Sequence, residues 1–472
     1  MASASSKGVG TGWSDWSLLS YIGRANYNYA GKYYATAAFR TDGSSKFAKG
    51  NRWGYFPSGS LAWRASEESF IKDLDIFSNL KFRASYGKTG NQGVNSYSTI
   101  ASLAKYDPKI YGMNDRTVGY SAKAVNTGLK WEQTAQTDFG IDMGFFKNRL
   151  NVTLDYYQKN TSDLLLTIST PYYLGSDQIY RNIGKVRNRG LEASINVVPI
   201  QTKDIYWEIQ ANISRNKNRI MNLGGQVIYG LSSSGNNDSI LSDETYIVKE
   251  GLPLGELYGY KCLGIWQTNE ATEAAKYGNK PGDYKYEDLD GNGKIDANDR
   301  TSIGNGTPDY FWGLNSTFRY KHWDLNVLLQ GVQGADKLNV IYAMASSFYA
   351  KSRTITLADP WYNRWTESNP SNKWPKAEST TSTNYINSTQ WIQDASFIRL
   401  KNLSLGYTFD KSLTKIGDFR LYVSSQNLFT ITKYKGYDPE SSSTLTSDVA
   451  TGIDSGITPS AFTVTFGAQL TF

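Results

Sequence analysis

Apolar and polar residues alternate with a period of two along most of the chain. At the C-terminus Phe462, Val464, Phe466, Ala468, Leu470 and Phe472 fall on one face, and Thr463, Thr465, Gly467, Gln469 and Thr471 on the other. Leu150, Val152, Leu154 and Tyr156 alternate with Asn151, Thr153, Asp155 and Tyr157, and Trp323, Leu325, Val327 and Leu329 face away from Asp324, Asn326 and Gln330. A period of two is that of a strand, whose successive side chains point to opposite faces. Helical periodicity is nearly absent, with short helices expected only near Glu67–Lys72 and Val340–Phe348. The pattern predicts about thirteen strands, near 18–29, 32–41, 54–64, 79–87, 130–145, 150–160, 184–198, 205–217, 309–320, 323–333, 395–408, 419–430 and 461–472, of which 395–408 has a mixed register. Strands of about 9–13 residues exceed the 5–6 usual in sandwiches. They suit a tilted membrane crossing of about 9–11 residues.

The connections carry a second pattern, alternating short and long. Short ones fall at Ala30–Gly31, 65–78, Phe146–Arg149, 199–204, Lys321–His322 and 409–418; long ones at 42–53, 88–129, 161–183, 218–308, 334–394 and 431–460. The 65–78 connection is long for its class, and a short helix there would account for it. Short turns at one end and long loops at the other are the mark of a transmembrane barrel. The predicted fold is therefore all-β, an antiparallel transmembrane β-barrel portion. Parity adds a further expectation. The last strand of such a barrel ends in the periplasm, so counting back puts the start of the first strand outside the cell. A complete bacterial barrel starts inside with an even strand number. The chain is thus expected to be a C-terminal barrel portion, with its N-terminal strands lying elsewhere and two open edges that lipid does not tolerate.

Composition narrows the class. No apolar run outlasts Val340–Ala345, which rules out membrane-spanning helices but not a barrel. Aromatic residues make up 14% of the 472 residues, which disfavours disorder. The net charge of +7 is spread without a dense basic block, so no nucleic-acid partner is expected. A single cysteine, Cys262, excludes an internal disulfide framework, and a single histidine, His322, excludes His-cluster metal sites and disfavours a Ser-His-Asp triad. No catalytic constellation stands out, and no enzymatic activity is expected. Residues 1–8 carry no apolar signal core.

Several blocks resemble the C-terminal half of SusC/RagA-type TonB-dependent outer-membrane transporters. They are Tyr-Asn-Tyr-Ala-Gly-Lys-Tyr-Tyr at 27–34, Arg-Thr-Asp-Gly-Ser-Ser-Lys-Phe at 40–47, and Leu-Lys-Phe-Arg-Ala-Ser-Tyr-Gly-Lys-Thr-Gly-Asn at 80–91. Trp131-Glu132-Gln133 with Asp138-Phe139-Gly140, Asn188-Arg189-Gly190-Leu191-Glu192, Pro281-Gly282-Asp283 leading into Asp288-Leu289-Asp290-Gly291-Asn292-Gly293, and Phe397-Ile398-Arg399-Leu400-Lys401-Asn402 belong to the same set. The resemblance runs over nearly all of 17–472, leaving 1–16 as an extension or the remnant of an extracellular loop. It implies a barrel of about 22 strands around an N-terminal plug, of which about thirteen are here and the plug is not. It also implies a bacterial outer-membrane location in contact with lipid, energy delivered by TonB-ExbB-ExbD through the plug-bearing part, and a SusD-like surface lipoprotein as lid. The implied cargo is oligosaccharide or peptide.

Four sets of residues are candidates for function. Thr465, Gly467, Leu470 and Phe472 have the spacing of the C-terminal signal read by the barrel-assembly machinery, although a terminal aromatic also suits the interfacial girdle. Asp288, Asp290, Asn292, Lys294, Asp296 and Asp299 match positions 1, 3, 5, 7, 9 and 12 of an EF-hand-like calcium loop, with Gly293 at the sharp turn and Lys294 offering only its carbonyl. The alternative is a solvated loop of Asx turns. In the 334–394 loop Trp361, Tyr362, Trp365 and Trp374 lie with Tyr342, Phe348, Tyr349, Tyr385 and Trp391 among Asn, Ser and Thr. Such residues suit sugar rings, a lid interface, or internal packing of the loop. Finally, Arg24, Arg40, Arg64, Lys81 and Arg83 on the first four strands, and Asp138, Asp142, Asp155, Glu192 and Glu208 on the next four, segregate charge along one face. They would pair across the lumen or with the plug, or form a polarised conduit wall that guides polar substrate; contact with the plug, which fills the lumen of such barrels, is the expectation. A rival reading of the whole chain is a secreted, calcium-stabilised β-rich binding or adhesion protein.

Overall fold

The computed structural model describes residues 12–100, 103–106, 119–122, 125–169, 178–231, 244–348, 357–377, 385–442 and 451–472; Tyr349 lies outside them. Thirteen long strands follow one another around a single antiparallel sheet, each paired with the next. They are β1 (Leu18–Tyr29), β2 (Tyr33–Ser44), β3 (Trp53–Arg64), β4 (Phe77–Asn91), β5 (Glu132–Phe145), β6 (Leu150–Ser162) and β7 (Lys185–Gln201). The sheet continues with β8 (Ile205–Asn222), β9 (Tyr310–Tyr320), β10 (Trp323–Gln333), β11 (Phe397–Phe409), β12 (Asp418–Gln426) and β13 (Thr463–Thr471). All thirteen expected strands are present. In the described pairing β1 bonds only β2, and β13 only β12, so the sheet is open at both edges.

Register turns the alternation of each strand into two continuous surfaces. Tyr27, Ala35, Leu61, Ala84, Phe139, Tyr156 and Leu191 are successive cross-strand partners, and form one apolar row across seven strands. One residue along, Asn26, Thr36, Ser60, Ser85, Asp138 and Tyr157 form a polar row on the other face. On the last strands Trp207, Phe318, Leu325, Leu405, Val423 and Phe466 continue the apolar face. Leu61, Phe139, Leu191 and Phe466 are all exposed, which marks an apolar face with no protein over it.

The mixed register of β11 has a physical cause. Opposite β10 the pairing slips between Leu328/Asn402 and Leu329/Leu400, leaving Lys401 as a bulge. Leu403 and Leu405 face outward below it, and Ile398 and Leu400 above it, so Arg399 points inward. The expected strand 419–430 is also interrupted. It breaks after Gln426 where Asn427 takes a positive φ of 53°, and a three-residue strand, Thr430–Thr432, re-pairs with Phe397–Arg399. The 65–78 connection holds a 3₁₀ turn, Ala65–Glu67, and the helix Ser69–Lys72; Glu68 at their junction accepts from Lys32 Nζ at 2.9 Å and Tyr33 Oη at 2.7 Å. The expected helix near 340 spans Val340–Ala345. Three further short helices, Ala271–Lys276, Ala358–Asn363 and Lys411–Thr414, have too few turns to show a period.

Charges on the polar face are met within the sheet, some by ion pairs across strands and others by neutral donors. The Arg83 guanidinium bridges Asp142 at 2.8 Å and Asp155 at 2.9 Å, reaching over β5 where Gly140 stands. A Cβ at Gly140 would fall 2.4 Å from Asp155 Oδ1 and 2.6 Å from Arg83 Nη2. Arg420 reaches Asp324 over Gly406 in the same way, at 2.6 Å. Arg40 pairs with Asp42 and Arg64 with Glu67. Asp138 accepts from Ser85 and Gln136, and Glu208 from Asn196 and Tyr206. The segregated charges thus find partners within the wall. Replacing Gly140 by Val is expected to break the three-strand bridge and destabilise the folded wall by about 1–3 kcal/mol. A Cβ added at Gly23 would meet nothing within 4 Å, so that position should accept Ala at within about 0.5 kcal/mol. Urea-unfolding midpoints of the two variants check this; equal midpoints would remove the role assigned to Gly140.

Candidate functional site

Every second connection of a consecutive antiparallel sheet leaves from the same end. The long connections therefore gather on one side, and three of them fold together. Strands Ile228–Leu231, Glu244–Val248, Glu256–Tyr260 and Arg300–Asn305 form one small sheet; Cys262–Ile265 pairs with Tyr284–Tyr286; and Asp336–Asn339 pairs with Ile392–Asp394 and Ile453–Asp454. One hydrophobic core joins the 218–308, 334–394 and 431–460 segments, with Leu257, Tyr284, Leu338, Trp374, Trp391 and Ile453 almost wholly buried. Cys262 N donates to Thr389 Oγ1 and Asn387 Nδ2 to Tyr258 O across the junction.

This core divides the four aromatic residues singled out in the 334–394 loop. Trp374 is 1% exposed and Trp365 7%. Trp374 Nε1 donates to Asp359 Oδ2 at 3.2 Å, and Trp365 Nε1 to Gln267 Oε1 at 3.1 Å, as buried indoles require. Both hold the loop module together and neither is presented to a ligand. Trp361 and Tyr362, on the helix Ala358–Asn363, are 51% and 76% exposed. The Arg364 guanidinium lies 4.8 Å from the Trp361 ring centroid, and Phe348 packs against the same indole. The alternation of the sequence cannot separate the two pairs, because all four lie in one irregular stretch.

The calcium-like loop brings three carboxylates together. One oxygen each of Asp288, Asp290 and Asp299 lies within 4.8 Å of the others. Asp288 accepts from the N–H groups of Gly291, Asn292 and Gly293. Partial desolvation works against its charge, yet those donors hold the Asp288 carboxyl below its ordinary value. Asp299 is fully buried and accepts from Leu289 N and Asp296 N at 2.8 Å each. Asn292 donates to Asp290 and Asp296 and accepts from Lys294 N, and Asp296 caps the turn Ala297–Asp299. Gly291 and Gly293 take φ of 70° and 78°, where a side chain would be strained. No lysine or arginine bridges these three carboxylates among the described residues. An all-oxygen, anionic cluster of this size fits a hard divalent cation such as calcium, and the same hydrogen bonds also satisfy the Asx-turn alternative.

At the C-terminus Thr465, Gly467 and Leu470 lie on β13, whose far edge has no partner among the described residues. Gly467 faces Tyr422, whose ring occupies the space a Cβ would need. Phe472 is exposed.

Sequence reasoning gave Arg399 no function of its own. Its guanidinium is buried, and meets Asp438 at 2.5 Å, Glu440 at 2.6 Å and Thr430 Oγ1 at 2.8 Å. Lys401, the bulged residue, reaches Glu440 at 2.9 Å. These contacts moor the 431–460 loop to the wall. The signal was the Lys401 bulge, legible only as a mixed register.

The sequence model of the TonB-dependent receptor-like β-barrel family matches residues 14–428. TonB-dependent receptor P3 of Formosa agariphila is 37% identical over 468 residues, covering 96% of this chain and 45% of the relative. TonB-dependent receptor SusC of Bacteroides thetaiotaomicron is 33% identical, covering 96% and 44%. The RagAB peptide transporter superimposes with a TM-score of 0.79 at 26% identity, covering 97% of this chain and 48% of that one. The chain spans just under half the length of these relatives.

Burial alone would raise the Asp438 carboxyl, but Arg399 and the N–H groups of Ser460 and Glu440 outweigh it and bring it down to about 2. The ordinary unfolded value is about 3.9. Asp438 therefore stabilises the moored loop fully above about pH 4, and that contribution, about 2 kcal/mol, is lost as pH falls towards 2. Protease cleavage within 434–460 should rise across that window. Arg399→Leu, which strands the buried carboxylate, should give the same cleavage at neutral pH, at a cost of about 3–5 kcal/mol. Protection of the loop in that variant at pH 7 would disprove the mooring.

Proposed function

This chain belongs to the TonB-dependent receptor β-barrel family and is an outer-membrane protein of the SusC/RagA type, and on that premise we propose that it forms the wall and the extracellular recognition module of an importer working with a SusD-like surface lipoprotein. Family and location set aside the secreted adhesion reading. The apolar face meets lipid, the polar face lines the lumen, and the long-loop side is extracellular. The proposed role is transport without a catalytic step, with TonB-ExbB-ExbD acting through a plug. The observation that carries the lid contact is the exposed pair Trp361 and Tyr362, standing on a module whose other tryptophans are buried. Exposed aromatics on a rigid support are what interface anchors look like. The cargo is an oligosaccharide or a peptide; peptide is the cargo named for RagAB, the matched structure.

Calcium belongs to the same proposal. Asp288, Asp290, Asn292, Asp296 and Asp299 would hold it by their side chains and Lys294 by its carbonyl. The ion would neutralise the converging carboxylates and tie down the 283–303 segment beside the module's core.

Trp361→Ala with Tyr362→Ala, in the full-length protein, should weaken copurification of the lid lipoprotein by about thirtyfold, at about 2 kcal/mol or more for an anchor residue. Lys203→Ala with Lys321→Ala, on the short-turn side, should change nothing. Uptake of a labelled glycan and a labelled peptide identifies the cargo in the same strains. Loss of the lid in the turn variant alone would invert the orientation and sink the proposal. For calcium, Asp288→Ala with Asp290→Ala should abolish protection of 283–303 from protease by millimolar calcium. Identical cleavage of wild type and variant, with and without the ion, would leave the loop to its Asx turns.

A further inference from the structure

The lipid-facing side of β7 and β8 changes character at its extracellular end. Below, Leu191 and Ile213 belong to the apolar band. Above, on the same face, stand Arg187 and Arg189 of β7 and Arg215, Lys217 and Arg219 of β8. Register sets them against one another, with Arg187 opposite Arg219 and Arg189 opposite Lys217. Arg189, Arg215, Lys217 and Arg219 are exposed, while the intervening Asn188, Asn216 and Asn218 are not. The opposite face at this level is already occupied, since Val186 and Ile220 pack into the loop core with Leu223 and Val248. The cations therefore point outward.

Like charges directly opposite one another on neighbouring strands are destabilising. Among the described residues no carboxylate bridges any of the five. Arg187 and Arg189 donate only to the amides of Asn160 and Gln158, at 3.1 and 2.9 Å. The row through Arg187 runs on through Asn160 and Ala135 to Lys88. There Lys88, Lys185 and Arg187 line a shallow open concavity of about 480 Å³ with Gln133, Asn160 and Ser162.

We propose that this patch is a binding site for the phosphorylated sugar headgroup of an outer-leaflet glycolipid. The charge calls for an anion. The apolar band immediately below calls for an anion joined to hydrocarbon, whose acyl chains lie along Tyr156, Leu191 and Ile213 while its phosphates sit among the cations. The amides of Gln158 and Asn160, registered beside Arg189 and Arg187 on the same face, supply hydrogen bonds to the sugar. Bound there, the lipid relieves the repulsion between β7 and β8 and fixes the height of the barrel in the leaflet. A free anion gains the charge contacts but nothing from the band.

The test uses the full-length protein, purified in mild detergent from its own outer membrane. Phosphorylated glycolipid retained per protein is measured by mass spectrometry, for wild type and for Arg187→Gln, Arg189→Gln and Lys217→Gln singly and together. Retention should fall about fivefold per cation removed, and a control pair at the short-turn end, Lys203→Gln with Lys411→Gln, should keep the wild-type amount. Re-addition to delipidated protein should show binding of the phosphorylated glycolipid, much weaker binding of its dephosphorylated form, and no displacement by millimolar inorganic phosphate. Unchanged retention in the triple variant overturns the site, provided its heat-modifiable band shows it folded. Equal binding of the dephosphorylated lipid also overturns it, reducing the contact to the apolar band. Full displacement by inorganic phosphate overturns the lipid assignment.

Discussion

Main-chain hydrogen bonding in a medium without water is the constraint from which the rest of this molecule follows. Hydrocarbon offers no partner to an N–H or C=O, so each strand of the wall must satisfy its ladder on its neighbours. That demand sets register, and register in turn decides which side chains meet. Once Tyr27 lies beside Ala35 and Ala35 beside Leu61, every further strand is obliged to place its apolar residues in the same surface. The polar surface is obliged to accumulate charge, and Arg83 and Arg420 resolve it by reaching over a glycine strand to carboxylates on the far side. A bulge is the one local freedom in such a lattice. At Lys401 it turns Arg399 inward and gives the 431–460 loop its mooring.

The wall was legible in the sequence because period two is written in every strand, from Leu150–Tyr156 to Phe462–Phe472. The alternation of short and long connections gave the segregation of the loops. What failed to show was anything that depends on who lies opposite whom. Trp361 and Trp374 are thirteen residues apart in one irregular loop, and nothing in their neighbours says that one is exposed and the other is a core residue. The cations of β7 and β8 appear in the sequence only as Lys185-Val-Arg-Asn-Arg189 and Arg215-Asn-Lys-Asn-Arg219, alternating as strands should. Their confrontation exists only once the two strands are registered. The calcium-like loop was readable because its chemistry is local, with all its ligand candidates within twelve positions.

The two halves of the molecule are stabilised differently. Away from the loop end, the wall has both surfaces open among the described residues and relies on ladders, a lipid covering and cross-strand ion pairs. The long-loop module has a buried aromatic interior like that of a water-soluble protein, built on Tyr284, Trp374 and Trp391 with their indoles and hydroxyls bonded. Truncating Trp374 removes volume from a closed core, at about 3–5 kcal/mol, whereas truncating Trp361 removes only surface.

That module's interior is also assembled from distant pieces. Cys262 and Thr389, bonded across it, are 127 residues apart, and β9, β10 and β11 lie in or around that interval. Contacts of such long range form late and slowly, because the loop-closure entropy must be met before they give any return. The wall between them already brings the two segments side by side, which shortens the effective loop from over a hundred residues to the width of a hairpin. The kinetic order is thus imposed by topology. On that ordering the strands pair before the aromatic core condenses, and the long-loop face is the last part of the chain to mature.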